Sequence, residues 1–101
     1  MKSLKTRPFD PAKYLENDEA IADYLTDALE TGDPAFVSDA LGVVARARGM
    51  SDVARTAGMS RESLYRALSA VGNPKFETVL RVMHALGLRF SANPARRRKV
   101  A

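Results

Sequence analysis

The sequence predicts an all-α domain of five helices, on three observations. Apolar residues recur at i, i+3 and i+4 spacing through most of the chain. Glycine closes four of these runs, at Gly32, Gly49, Gly58 and Gly87. Capping residues, Asn17, Asp33, Ser51 and Ser60, stand ahead of four of them. With 101 residues, 46% of them hydrophobic, the chain can fold as one domain around a modest core.

The first helix is predicted over Asn17–Thr31. Asn17 caps it, Asp18 and Glu19 sit at the positive end of its dipole, and Ile21, Leu25, Ala28 and Leu29 form one stripe with Tyr24 at the edge. Asp33 caps the second helix, Pro34 takes its first position, and it runs to about Arg48. Phe36, Val37, Ala40, Leu41, Val44 and Ala47 give it a broad apolar face. Gly42 within that face costs helix propensity, so it is expected to mark a close approach of the third and fourth helices.

Ser51 is predicted to cap the third helix, which turns Val53, Ala54 and Ala57 inward until Gly58 reverses the chain. Ser60 caps the fourth, whose inner face is Leu64, Ala67 and Leu68. Ala70–Pro74 is a turn by composition. The last helix, Lys75–Leu86, buries Phe76, Val79, Val82, Met83 and Leu86. Leu88–Ser91 alternates apolar and polar residues, which fits a short C-terminal strand pairing with another segment or across a dimer. The organisation expected is an extended N-terminal segment over 1–16, a helical domain over 17–90, and a flexible basic tail over 91–101. Pro8 and Pro11 keep the N-terminal segment out of regular helix, yet Leu4, Phe9, Tyr14 and Leu15 equip it to order against a partner. Arg96, Arg97, Arg98 and Lys99 in the tail would add nonspecific attraction to phosphates.

Ser51–Leu68 reads as a helix-turn-helix. Its second helix leaves Arg61, Glu62, Ser63, Tyr65, Arg66 and Ser69 pointing outward, a set of donors, acceptors and one aromatic suited to base edges and phosphates. On those features alone a plain helical hairpin with a solvated face fits equally well. Charge favours the DNA reading. Residues 1–45 carry four basic and nine acidic residues, net −5, whereas residues 46–101 carry twelve and three, net +9. The basic half suits a polyanion and the acidic half a basic protein.

Other classes find little support. The absence of cysteine excludes disulfides and thiol catalysis and fits a reducing cytoplasm. The N-terminus lacks the apolar core of a signal peptide, and no apolar run approaches the ~20 residues of a membrane span. His84 is the only histidine and has no clustered ligands, so no metal site is expected. Neither a catalytic triad nor a phosphate-binding glycine loop is present, so no enzyme activity and no cofactor are expected.

The stretches FDPAKYL, EAIADYLTDALETGDPAFVSDALGVVARARGMSDVA and SRESLYRALSAVGNPKFETVLRVMHALGL resemble the antidote proteins of bacterial addiction modules. These are HigA-like antitoxins of type II toxin–antitoxin pairs. The resemblance covers roughly residues 8–90, with ALETGDP, SRESLYRAL and GNPKFETV its most specific parts. It implies a lambda-repressor-like (Xre) helix-turn-helix fold. It also implies a cytoplasmic protein that neutralises a RelE/ParE/HigB-like toxin by direct binding and represses its own operon. Ser60, Arg61, Glu62, Ser63, Tyr65 and Arg66 then occupy recognition-helix positions, with Ser51 and Ser60 heading the two helices near phosphates. Phe9, Tyr14, Leu15, Asp18, Glu19 and Asp23 are the expected toxin contacts. A homodimer is expected, because two half-sites add their free energies where one short helix makes few base contacts. The alternative is a stand-alone Xre-type regulator without a toxin.

Overall fold

A computed structural model describes residues 17–69 and 71–95 of the chain. They form five helices: α1 (Asp18–Glu30), α2 (Pro34–Arg48), α3 (Met50–Ala57), α4 (Arg61–Ala67) and α5 (Phe76–Ala85). α1 packs along α2, and α3 packs against α2, α4 and α5. All five send side chains into one core, whose most completely buried members are Ile21, Leu41, Val44, Leu64, Leu68 and Val82. Burying one such aliphatic side chain is worth about 1.5–3 kcal/mol, so this shared cluster dominates the stability of helices too short to persist alone.

The starts of α1 and α2 follow their capping chemistry. Asn17 Oδ1 accepts the Ala20 N–H at 2.7 Å, and Asp33 Oδ1 accepts the Ala35 N–H at 3.0 Å beside Pro34. α3 starts differently from the sequence expectation. Ser51 is not its cap: it lies exposed inside the first turn, and Gly49 occupies the cap position with no side-chain bond. The Gly49 N–H closes α2 on the Ala45 carbonyl at 2.9 Å, and its carbonyl opens α3 by accepting the Val53 N–H at 3.0 Å. Met50 is buried directly after it, so the demand to fill the core begins α3 before any serine could cap it.

Two further expectations are corrected. The short strand at Leu88–Ser91 does not form, and no strand occurs among the described residues. The Leu88 N–H turns back to the Met83 carbonyl at 2.9 Å, and Phe90 stacks on Phe76 with ring centroids 6.2 Å apart. The segment is thus spent on contacts with α5 rather than offered to a second strand. Phe36 and Phe76, expected inside, are exposed.

α1 is fastened to α2 by polar contacts as well as by its apolar stripe. Arg48 at the end of α2 pairs with Asp18 at the start of α1. Tyr24 is partly buried, and its hydroxyl pKa is raised above 10.0 by that burial and by the Asp39 carboxylate, with Arg46 opposing. Among the described residues no helix is long and apolar enough to cross a membrane.

Candidate nucleic-acid interface

α3 and α4 form two short helices joined by a tight reversal over Gly58, Met59 and Ser60. Gly58 adopts φ 76°, ψ 33°, the left-handed conformation that a side chain disfavours. The Met59 N–H donates to the Ala54 carbonyl at 2.9 Å and the Gly58 N–H to the Arg55 carbonyl at 3.1 Å, so the end of α3 is closed without help from side chains. Ser60 then turns the chain into α4, its Oγ accepting the Ser63 N–H at 3.0 Å.

The core fixes which side of α4 faces out. Leu64 and Leu68 are buried, so Arg61, Glu62, Tyr65 and Arg66 are driven to solvent, with Ser63 at the margin. No described group forms an ion pair with Arg61 or Arg66. Tyr65 is 47% exposed, so part of its ring and its hydroxyl are open to solvent. On α3 the exposed residues are Ser51, Asp52, Arg55 and Thr56, with Arg55 paired to Asp52. This surface can donate to acceptors from the guanidinium groups of Arg61 and Arg66, accept from Glu62, and offer an aromatic face. The sequence-predicted residues Ser60, Arg61, Glu62, Ser63, Tyr65 and Arg66 therefore come together on and around one helix. Ser51 belongs to the other helix, exposed in the first turn of α3.

The far end of α4 is seated on α2. A Cβ added to Gly42 would lie 2.8 Å from the Leu68 carbonyl oxygen, closer than carbon and oxygen tolerate. One turn earlier, buried Ser38 donates its hydroxyl to the Ala67 carbonyl at 3.4 Å. Gly42 was legible as a close-packing site, but Ser38 was not. The one available signal is a serine at i−4 from that glycine on an otherwise apolar face.

The acidic residues occupy the opposite end of the chain order. Asp18, Glu19 and Asp23 are all exposed on α1, although Asp18 is engaged by Arg48. Beside α1 a groove of about 900 Å³ opens toward residues 88–95, lined in part by Leu25, Leu29, Met83 and Phe90. Phe9, Tyr14 and Leu15 lie outside the described residues, as do the rest of the 1–16 segment and the basic cluster Arg96–Lys99.

A family model described as "Probable addiction module antidote protein" matches residues 5–94. An uncharacterized protein of Haemophilus influenzae is 48% identical over 90 residues, covering 89% of this chain and 93% of that protein. No solved structure matches the chain.

Proposed function

Because the chain belongs to the addiction module antidote protein family, we propose that it both neutralises a partner toxin and represses its own operon by reading operator DNA with α4. The observation that carries the DNA half is the outward face of α4. Arg61, Tyr65 and Arg66 are exposed together on a helix held by a reversal and a core that leave it no other orientation. In this reading α4 lies in the major groove, Arg61 and Arg66 meet guanine edges or phosphates, and the net charge of +9 over residues 46–101 supplies the sequence-independent attraction.

The toxin half rests on the family and on the acidic first half of the chain. A RelE/ParE/HigB-like toxin, docked on the α1 face that carries Glu19 and Asp23, is the partner we propose, with the chain acting as a cytoplasmic homodimer.

The test is titration of a fluorescent duplex carrying the chain's own promoter. Arg61→Ala combined with Arg66→Ala is expected to lower affinity by about 100-fold or more, since a good base contact is worth about 1–3 kcal/mol. Unchanged binding would remove α4 as the reading helix. Co-purification with the product of the adjacent gene tests the toxin half. A chain that shifts promoter DNA but captures no neighbour would be a stand-alone regulator of the Xre type.

A further inference from the structure

The groove beside α1 has an apolar lining that the described residues leave part-open. Leu25 and Met83 are buried along it, but Leu29 is 40% exposed and Phe90 is 37% exposed. The same four residues line a second, smaller hollow that reaches Val37 and Val79. α1 supplies the near wall, through Ala22, Leu25, Thr26, Leu29 and Glu30, and residues 88–95 supply most of the far one. Single exposed apolar residues are ordinary on a surface, but a concave cleft of about 900 Å³ with apolar side chains from both walls is the shape that takes up a stretch of peptide.

Tether, composition and charge select the occupant. Residues 1–16 lead directly into Asn17, the cap of α1, so they are tied to one end of the near wall. Doubling back along α1 from Asn17 to Glu30 covers about 20 Å of helix, within the ~50 Å reach of a segment that long. Leu4, Phe9, Tyr14 and Leu15 give it apolar side chains for an apolar lining. Its ionic residues are four basic and two acidic, net +2, whereas α1 carries five acidic residues and no basic one. Arg89 is the basic residue of the far wall, and Asp10 gives the segment an acid to set against it. The tail Arg96–Lys99 has the same sign of charge but brings no apolar side chain within those four residues. The family match over residues 5–94 takes in the segment and both walls of the groove and stops short of that tail. We infer that residues 4–15 of this chain dock in its own groove, running back along α1 with Phe9 and Tyr14 as anchors. The docked segment covers Leu29 and Phe90, and a partner that pulls it away uncovers them. Neither DNA nor a toxin is needed for this docking.

The test is paramagnetic broadening of amide signals in the full chain, without DNA or toxin. The chain has no cysteine, so Thr6→Cys gives a single thiol for a nitroxide label on the segment. Among residues 17–95, signal loss is expected to be deepest on the groove walls, at Thr26, Leu29 and Ser91. Phe9→Ser on the segment side and Leu29→Gln on the groove side should each restore those signals. Phe9 lies ahead of α1 and Leu29 is part-exposed, so both variants should keep the helical far-ultraviolet spectrum of the parent. A segment that is tethered but not docked would instead broaden the first turn of α1 most, and that result would overturn the proposal. So would broadening that survives both substitutions. A mixture of labelled chains with unlabelled, isotope-enriched chains tests for a second copy, and loss of the groove signals there would give the groove to that copy rather than to the chain's own segment. Loss of the same signals from a label at Ala101→Cys, and not from one at Thr6→Cys, would give it to the tail. Either result overturns the proposal, while leaving the DNA and toxin readings untouched.

Discussion

A methyl group on Gly42 would press on the Leu68 carbonyl, and the outcome is a contest between two terms. Alanine regains about 1 kcal/mol of helix propensity. Overpacking a filled site costs about 1–3 kcal/mol, and backbone at 2.8 Å cannot swing aside as a side chain would. Overpacking wins, so Gly42→Ala is expected to lower the thermal midpoint. It should also weaken promoter binding, because the clash falls on the end of α4. Tyr24 gives a second residue-scale expectation. Its raised pKa means that the folded chain holds the phenol proton more tightly than the unfolded chain does. The associated stability is complete below pH 10.0 and is lost as pH climbs through the higher folded value. Tyr24→Phe should therefore flatten the alkaline fall in urea midpoint expected of the parent above pH 10.0.

Among the helices, the two serines of the helix-turn-helix make a contrast that denaturation can read. Ser60→Ala removes the bond to the Ser63 N–H and should cost about 1 kcal/mol, whereas Ser51→Ala, which removes no cap, should stay within about 0.5 kcal/mol. Equal effects would mean that Ser51 supports α3 in some other way. The same pair shows what was legible in the sequence. Spacing and glycines located all five helices, and Gly58 and Ser60 behave as their chemistry dictates. Ser51 misled because local capping preference was outranked by burial of Met50, a tertiary fact. Phe36 and Phe76 misled for a related reason. Periodicity finds an apolar arc but does not say which part of a wide arc meets a neighbour. The α5 sequence did hold one clue, since Leu80 extends its apolar arc beyond a single face. Leu88–Ser91 alternates like a strand, but alternation alone supplies no partner edge.

Taken as a whole, the molecule separates its charges along the chain, and the division between the acidic and basic stretches falls close to Gly49. The composition of α4 was readable in advance, but its seat on Ser38 and Gly42 joins residues far apart in sequence. Gly49 itself is the whole connection between α2 and α3, ending one and starting the other. A junction with no spare residue imposes a phase on everything downstream. One inserted alanine there would rotate α3 by about 100° and swing Met50, Val53 and Ala54 out of the core. The loop over 71–75 carries no such phase, because α5 is docked by its own side chains. A scan of single-residue insertions should therefore return folded chains at 71–75 and none at 49. Length variation in relatives of this fold has room in that loop, while the spacing from α2 to α3 is as fixed as any residue in the core.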